Sequence, residues 1–435
     1  MNVGFVSLGC SKNLIDTEMA IGLFKGNNYK IVNEVEKADI IVVNTCGFIE
    51  SAKEEAINTI LEMAEYKKIG SCKYLVVMGC LVQRYKKELQ RALPEVDLFL
   101  SIDEYENYWD KIEKLVKNRE DIYSEKMDYL NRIITTGKTT AYLKIAEGCS
   151  NRCTYCAIPN IRGPYISRKF EDIITEAKKL AEAGYKEIIV IAQDTTKYGI
   201  DLYGEPKFAK LLEELAKIKE FKWIRFLYAY PESITDELIE VVKNNKNICR
   251  YFDIPIQHIS DRVLKRMNRK TTGKQIEDLI DKIKENIPDA VLRTSLIVGF
   301  PGETKEDFEK LCEFVAKAKF DKLGVFTYSK EEGTPAAKLP EQVHYKTKQK
   351  RYNEIMEIAQ KASKENSEKT VGKTYDVLIE TKTFDDKYYI GRTYMDIPNE
   401  DGVVFIKNTK SNLENTWTKC KITSVKEYDL IGELV

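Results

Sequence analysis

Three cysteines within one short loop constrain this chain more than any other feature of its sequence. Cys149, Cys153 and Cys156 follow one another with the spacing Cys-x-x-x-Cys-x-x-Cys. Thiolates this close along a chain can bind three irons of one iron–sulfur cube, and the fourth iron then has no protein sulfur and stays open to a ligand from solution. The spacing therefore predicts a 4Fe–4S cluster that is a reaction site.

Two other interpretations of this loop stay open. A structural zinc site needs four protein ligands, and the only histidines of the chain, His258 and His344, lie far from the loop in sequence. Free cysteines that pack as small apolar residues are the second alternative. Core packing gives no reason for three thiols to gather at two short spacings, so the cluster is the favoured interpretation.

Composition indicates an ordinary soluble, cytoplasmic protein. The chain is long enough for about three domains, and it is 43% hydrophobic and 32% charged. Its 69 Lys and Arg balance its 69 Asp and Glu, so net charge gives no general attraction to nucleic acid or to a membrane surface. No apolar stretch is long enough to span a membrane, and no export signal accompanies the ten cysteines, which argues for a reducing compartment.

Residues 1–117 predict a doubly wound, flavodoxin-like domain. Apolar runs at residues 3–8, 39–43 and 74–78 are typical of buried parallel strands, and helical patterns lie between them. A cysteine follows each run, and the three are Cys10, Cys46 and Cys80. Ligand sites in such sheets lie beyond the carboxyl ends of the strands, so we expect these thiols to converge on a second 4Fe–4S cluster. The alternative is a small buried residue at each strand end.

Residues 141–340 predict an incomplete parallel barrel. After a polar, aperiodic linker at residues 118–140, six strand patterns alternate with helical patterns, which is the order of a partial (β/α)6 barrel. The strand patterns lie at residues 141–146, 187–192, 223–228, 251–254, 291–298 and 323–327. The cysteine loop follows the first of them, at the carboxyl end, where parallel barrels carry their chemistry.

The same rule selects further candidate site residues after later strands. They are Gln193, Asp194, Pro255, Gln257, His258, Gly299 and Gly302. The turn from Gly299 to Gly302 lets the backbone approach a ligand and leads into a helix amino end, although a plain turn explains these glycines equally well. His258 is a candidate proton donor, and a hydrogen-bonded core histidine is the alternative.

The carboxyl-terminal part predicts a helical connector at residues 341–366 and a small antiparallel β-barrel at residues 367–435. Barrels of this kind often bind RNA. From Glu368 onward, however, ten Lys and Arg stand against twelve Asp and Glu, a net charge of −2 that does not favour phosphate contact. The isolated cysteines lack partner spacing and are predicted to be structural; they are Cys72, Cys249, Cys312 and Cys420.

Together these motifs resemble the radical S-adenosylmethionine (SAM) methylthiotransferases over nearly the whole chain. The loop has an aromatic residue, Tyr155, directly before its last cysteine, as in the radical SAM signature. The amino-terminal matches are Gly9-Cys10-Ser11-Lys12-Asn13, Asn44-Thr45-Cys46-Gly47-Phe48 and Met78-Gly79-Cys80. Similarity to the RimO type of the family rests on Ser7-Leu8 before the first motif, Asp253-Ile-Pro-Ile-Gln257-His258, Gly333-Thr-Pro-Ala336 and Glu427-Tyr-Asp-Leu430. Ser11 departs from the usual Pro, at a loop position that does not move the thiolate.

The resemblance implies a division of labour between the two clusters. The loop cluster would bind SAM through its open iron and cleave it to a 5′-deoxyadenosyl radical, and the residues expected to contact this cofactor are Tyr155, Gln193, Asp194, Gly299 and Gly302. In the RimO type the radical takes a hydrogen from the β-carbon of an aspartate in small-subunit ribosomal protein S-twelve. The second cluster, on Cys10, Cys46 and Cys80, would deliver the methylthio group, and the terminal barrel would be a TRAM domain.

Partners and rival functions follow from the same resemblance. The implied partners are the ribosomal protein, free or in the ribosome, an electron donor protein and a sulfur source. The tRNA branch of the family shares every cysteine but should show a basic terminal barrel, so tRNA is not the expected partner. A non-catalytic electron carrier or scaffold is a rival of another class, and it would need no barrel.

A basic ribosomal protein would be met by carboxylates of the terminal barrel. The candidates are Asp376, Asp385, Asp386, Asp396, Glu400 and Asp401. A solvated acidic face that only keeps the domain soluble is the alternative.

Overall fold

The computed structural model of the chain describes residues 1–117, 126–408 and 412–435. Part of the predicted linker, residues 118–125, lies outside the described residues, and residues 126–139 contain no helix or strand. The domain limits at residues 117, 140, 340 and 366 stay predictions. No helix in the described ranges has both the length and the apolar character needed to cross a membrane.

The amino-terminal part is a five-stranded parallel sheet with helices on both faces. Its strands are β1 (Asn2–Ser7), β2 (Lys30–Ile31), β3 (Ile40–Thr45), β4 (Tyr74–Gly79) and β5 (Leu98–Leu100). Its helices are α1 (Ser11–Gly26), α2 (Glu50–Ile69), α3 (Cys80–Ala92) and α4 (Tyr108–Lys117). Ser11 is therefore the first residue of a helix and not a loop residue as expected. The spatial order β2-β1-β3-β4-β5 is the flavodoxin-like one, as predicted. The two-residue β2 was not predicted because it has no apolar run.

Both faces of this sheet are covered, which explains the unbroken apolar runs of its strands. In β3, Ile41 and Val43 pack toward the core that contains α2, whereas Ile40 and Val42 pack with Phe24 and aromatic residues of α4. Alternate residues of a strand point to opposite faces, so only a fully apolar run satisfies both layers. The loops after β1, β3 and β4 therefore lie together at the carboxyl edge.

The central part contains two three-stranded parallel sheets and one two-stranded antiparallel sheet, which consists of its second and third strands. Its strands are β6 (Thr140–Lys144), β7 (Ala146–Glu147), β8 (Ile166–Ser167), β9 (Glu187–Ile191), β10 (Trp223–Phe226), β11 (Tyr251–Asp253), β12 (Val291–Val298) and β13 (Lys322–Thr327). The two three-stranded sheets have the orders β10-β9-β6 and β11-β12-β13. A parallel bridge between Ile224 and Ile248 joins them. Within the described residues β6 and β13 do not pair with each other, so the barrel stays open and the predicted partial parallel barrel is confirmed.

The central part also contains helices, most of which cover the outside of the barrel. They are α5 (Ile158–Arg162), α6 (Phe170–Glu182), α7 (Ile200–Tyr203), α8 (Phe208–Ala216), α9 (Asp236–Asn244), α10 (Asp261–Arg266), α11 (Gly273–Asn286) and α12 (Lys305–Ala318). The concave side of the barrel is covered by residues from the amino-terminal and carboxyl-terminal parts of the chain. Ile15 and Met19 of α1 and Ile397 of the terminal part pack on Ile189 and Ile191 of β9. Both ends of the chain therefore cover the concave surface of the open barrel.

After helix α13 (Tyr345–Glu368), five strands close into a small barrel, as predicted. They are β14 (Thr374–Lys382), β15 (Tyr388–Arg392), β16 (Val404–Lys407), β17 (Thr416–Lys426) and β18 (Asp429–Leu434), in the closed order β14-β15-β16-β18-β17. One detail of the prediction is corrected, because β16 and β18 pair in parallel while the other four pairings are antiparallel. A closed ring of five strands cannot alternate direction throughout, so one pair must be parallel.

Three of the predicted partner-binding carboxylates contact the central barrel instead. Asp396 lies 2.7 Å from the Lys322 ammonium and Glu400 lies 2.6 Å from the Arg293 guanidinium. The Asp401 side chain is 4% exposed and accepts a hydrogen bond of 2.7 Å from the Tyr251 hydroxyl. The expectation of one outward acidic face is wrong for Asp396 and Asp401, because a strand pattern does not show which side of a barrel docks on its neighbour. The Glu400 side chain remains 44% exposed beside Arg293. Asp376, Asp385 and Asp386 keep exposed side chains.

Candidate functional site

We call Cys10, Cys46 and Cys80 the amino-terminal triad. Cys10 precedes α1, Cys46 follows β3, and Cys80 begins α3 directly after β4. Gly9 adopts φ 85°, and a Cβ atom there would lie 2.7 Å from Cys46 Cβ. Only glycine allows the turn after β1 to approach Cys46 so closely.

Asn13 holds the three loops of the amino-terminal triad together. Its Nδ2 donates to the carbonyl oxygens of Leu8 and Thr45 at 3.1 and 3.0 Å, and its own carbonyl accepts from Asn44 Nδ2 at 2.8 Å. The Cys80 thiol donates to Asn13 Oδ1 at 3.3 Å. The buried Asn13 thus forms hydrogen bonds with all three cysteine-bearing loops. The sequence motif that contains Asn13 does not predict this role.

We call Cys149, Cys153 and Cys156 the loop triad. Their loop lies between β7 and α5, and its fold is held by backbone bonds from Cys149 N to Gly163 O and from Cys156 N to Cys153 O, both 3.1 Å. Asn151 of the same loop donates to the buried Asp194 carboxylate at 2.7 Å. Asp194, a predicted cofactor residue, therefore anchors the cysteine loop after β9.

The donor sets of both triads fit iron–sulfur clusters. Each triad offers three thiols without a disulfide, and a cluster binds each thiolate through a different iron. Burial raises the pKa of both Cys80 and Cys156 to about 12, so these thiols are protonated and must lose a proton when iron binds. In the part of the chain that the structure describes, no three His, Cys, Asp or Glu side chains form a site for a single metal ion.

The two triads are neighbours across the domain boundary. Cys80 packs on Ala157, which directly follows Cys156, and on Ile161 of α5. Arg162, at the end of α5, lies with Nη2 3.6 Å from Cys80 Sγ. Arg162, on the helix that follows the loop triad, thus contacts a thiol of the amino-terminal triad. Sequence reasoning missed Arg162, because no spacing relates it to Cys80.

Arg162 belongs to a buried four-charge network. Its guanidinium lies 2.8 Å from Asp16 of α1 and 3.0 Å from Glu147, and Lys144 lies 2.7 and 2.9 Å from the same two carboxylates. Gln193 Nε2 donates to Glu147 Oε1 at 3.0 Å. Gln193 Oε1 is buried without a partner among the described residues, so it remains an acceptor for a bound ligand, consistent with its predicted role.

Among the other candidates, the glycine turn is occupied by protein. The amides of Gly299 and Phe300 donate to Glu303 at 2.5 and 3.0 Å, and a Cβ at Gly302 would lie 2.6 Å from the Arg266 guanidinium. The helix that follows carries its own capping box from Thr304. These glycines therefore admit neighbouring protein groups in this structure, and Glu303 already accepts from the amides of Gly299 and Phe300.

His258 and Tyr155 both lie in packed surroundings. His258 is fully buried, accepts from Ser260 N at 3.0 Å, and burial lowers its pKa to about 3. Its Nε2 is buried without a hydrogen-bond partner among the described residues, so the proton-donor and core interpretations of His258 both stay predictions. Tyr155 packs beside Phe300 and Tyr328, next to two cysteines of its own loop.

Comparisons with known proteins agree with this architecture. Residues 2–101 match the family model described as Uncharacterized protein family UPF0004, residues 143–315 match the Radical SAM superfamily, and residues 371–435 match the TRAM domain. A protein of Alkaliphilus oremlandii named ribosomal protein uS12 methylthiotransferase RimO is 64% identical, with 100% of this chain and 99% of the relative covered. A protein of the same name from Clostridioides difficile is 51% identical, with 100% and 99% covered.

The chain belongs to the RimO methylthiotransferase family. Membership makes it a radical SAM enzyme of the transferase class, and the non-catalytic alternative is excluded. One 4Fe–4S cluster and SAM are the cofactors that the radical SAM superfamily implies. The resemblance predicted from the motifs is thereby confirmed.

Solved structures support the fold of the RimO family member. The radical SAM methyltransferase TsrM from Kitasatospora setae aligns with a TM-score of 0.58 at 11% identity and covers 77% of this chain and 76% of that chain. The cobalamin-dependent radical enzyme OxsB aligns with a TM-score of 0.52 at 15% identity, with 83% and 56% covered. At such identities the likeness concerns the fold alone.

Proposed function

We propose that this enzyme transfers a methylthio group to the β-carbon of an aspartate in small-subunit ribosomal protein uS12, and that its amino-terminal triad holds a second 4Fe–4S cluster. The substrate follows from the name that its full-length relatives carry. The observation that carries the proposal is the contact of Cys80 with Ala157 and Arg162, which makes the two cysteine triads neighbours. Two sites this close can act on one substrate carbon.

The chemistry requires a radical because a β C–H bond has no acidic proton for a general base. When bound, the loop cluster and SAM supply that radical chemistry. The loop triad would hold the first cluster, and Cys10, Cys46 and Cys80 would hold the second. Tyr155, Gln193, Asp194, Gly299 and Gly302 stay the proposed SAM residues. Gln193 has a free buried acceptor, whereas the Gly299 amide is already bonded to Glu303.

The protein's own contribution is position and exclusion of water. Asn13 fixes the loops of the amino-terminal triad, and the bond from Asn151 to Asp194 fixes the loop triad. The α1 helix and the terminal barrel cover the concave side of the central barrel. Rigid anchoring and a covered site protect a radical from solvent and hold it near its target.

Further partners follow from the same proposal. An electron donor protein and a sulfur source are needed to complete each turnover. We place the enzyme in the cytoplasm, because its proposed substrate is a ribosomal protein. The exposed carboxylates Asp376, Asp385 and Asp386 are candidates for contact with a basic partner.

Product mass tests the proposed function. Enzyme reconstituted without oxygen is incubated with SAM, a reductant and sulfide, together with either uS12 or tRNA. We expect uS12 to gain one methylthio group on a single aspartate, located by peptide fragmentation, and tRNA to remain unchanged. Modification of tRNA with unmodified uS12 would overturn the proposal.

A further inference from the structure

Lys12 is a buried cation that lies two residues after Cys10. It is in the first turn of α1 and only 7% exposed. Its ammonium lies 3.2 Å from the centroid of the Tyr228 ring, which belongs to the central barrel. The side chain therefore crosses from the amino-terminal triad to the carboxyl end of the barrel.

Among the described residues, Lys12 differs from the other cations around it in having no carboxylate within ion-pair distance. Burial lowers its pKa, although the charges of Cys10, Asp253 and Glu400 oppose this lowering. Arg162 and Lys144 share Asp16 and Glu147, as described above. Arg293 lies 2.9 Å from Asp253 and 2.6 Å from Glu400. Among the described residues Lys12 has no hydrogen-bond acceptor and no carboxylate within ion-pair distance, and the ring of Tyr228 is its only polar contact. A buried ammonium without a contacting carboxylate is stabilised when an anion binds to it.

Tyr228 is held in a strained backbone conformation. Its φ is 62°, in the left-handed region that bulky residues rarely adopt, and its amide donates to Asp253 Oδ2 at 2.9 Å. Such strain persists only where the surroundings impose it, and it concentrates at functional sites. The strained turn after β10 places the aromatic ring against Lys12.

A short path of contacts connects this place with the loop triad. Thr195 donates from its amide to the Tyr228 carbonyl at 3.2 Å, and Asp194 beside it holds Asn151 of the cysteine loop. An anion bound to Lys12 would lie between the amino-terminal triad and the carboxyl end of the barrel. The carboxylate of an aspartate side chain is one bond from its β-carbon, so holding the carboxylate there also positions that carbon.

We propose that Lys12, with Tyr228 beside it, binds the side-chain carboxylate of the substrate aspartate and so selects an acidic residue as the target. This inference rests on the proposed function. Lys12 is a specificity residue that touches the substrate. It is distinct from the cysteine ligands and takes no part in SAM cleavage.

The test compares Lys12→Met with the matched control Lys25→Met, an exposed lysine at the end of the same helix. Two substrates are used: uS12 and uS12 with the target aspartate changed to asparagine. Binding is measured by titration on the reconstituted enzyme, and KM and kcat for methylthiolation are measured separately. Iron content, SAM affinity and SAM cleavage without uS12 report on the clusters.

We expect Lys12→Met to weaken uS12 binding by about thirtyfold or more and to raise KM, as loss of a buried charge partner does. The asparagine substrate should bind the wild-type enzyme weakly, and Lys12→Met should not reduce its affinity further. The enzyme change and the substrate change remove the same contact, so their effects should not add. Lys12→Arg should restore part of the affinity. Iron content, SAM affinity and Lys25→Met should match wild type.

The inference would be overturned if Lys12→Met weakened the binding of both substrates equally, because Lys12 would then stabilise the fold. It would also be overturned by a lower iron content or a weaker SAM affinity, because Lys12 would then support the cluster or SAM. Unchanged binding of uS12 would overturn it as well. If Lys12→Met does not fold, Lys12→Gln removes the charge in its place and Lys12→Arg remains the charge-keeping control. Failure of wild type to modify uS12 is a separate result, because it contradicts the proposed function itself.

Discussion

The two cysteine triads of this enzyme are built in opposite ways. The loop triad comes from one segment of nine residues, 148–156, whereas the amino-terminal triad gathers Cys10, Cys46 and Cys80 from the ends of three strands. The loop triad is held by its own backbone and by Asp194, while the amino-terminal triad needs the whole sheet and Asn13. A local triad can form before its domain is complete, but a distributed one exists only in the folded sheet.

Burial also differs between the two. Cys149 and Cys153 are buried, whereas Cys10 is exposed and Cys46 is partly exposed. A site that must keep a radical from water gains from burial. Each triad is mixed, however, because Cys156 is partly exposed and Cys80 is buried, so the difference in access rests on Cys10.

Replacing Cys149, Cys153 and Cys156 together by Ala should have the largest effect. Iron should fall from roughly eight to roughly four per chain, because one 4Fe–4S cluster is lost. SAM cleavage should disappear, because no open iron remains to bind it. Iron analysis and chromatographic detection of 5′-deoxyadenosine measure both results, and a variant with full iron content would contradict the assignment of this cluster.

Replacing Cys10, Cys46 and Cys80 by Ala should separate the two activities. Iron should again fall to roughly four per chain, but SAM cleavage to 5′-deoxyadenosine should continue. No methylthio group should reach uS12, since the sulfur-bearing site is gone. Mass spectrometry of uS12 checks this, and methylthiolated product from this variant would rule out the second cluster.

Arg162→Gln should weaken the connection between the triads without removing either. Its loss leaves Asp16 and Glu147 with Lys144 alone, and breaking a buried pair costs about 3–5 kcal/mol of folding stability. Product formed per SAM cleaved should fall about tenfold, because small misplacements of reacting groups are costly.

The matched control for Arg162→Gln is Arg250→Gln, which removes an exposed pair with Asp289. Surface pairs contribute about 0–1 kcal/mol, so its stability and product ratio should stay close to wild type. Denaturant unfolding and the ratio of methylthiolated uS12 to 5′-deoxyadenosine are measured for both variants. Equal ratios in the two variants would show that Arg162 does not couple the triads.

The smallest effect concerns access to the metal-free thiols. Iodoacetamide should label exposed Cys10 about tenfold faster than buried Cys149 and Cys153, since reaction requires access to the sulfur. Peptide mass spectrometry over a time course follows each cysteine. Reconstitution with iron and sulfide should protect both triads, and equal labelling of Cys10 and Cys149 would contradict the difference in burial.

Much of the architecture was predictable because it depends on short-range patterns. The apolar runs of β3, β4 and β12 and the helical patterns between strands are visible within windows of a few residues. The short β2 and the parallel pairing of β16 with β18 were missed, since the first has no apolar run and the second follows from barrel closure. The cysteines of both triads were selected by spacing and by strand ends.

By itself the sequence determined the loop motif, the order of elements and the candidate ligands, because each depends on neighbours along the chain. Tertiary structure alone decided which groups meet across domains. Arg162 contacts Asn13 across 149 positions, Lys12 meets Tyr228, and Glu400 pairs with Arg293 rather than with a partner. No local pattern encodes such contacts, because the energy of a charged side chain depends on which charges and how much water surround it after the domains have packed.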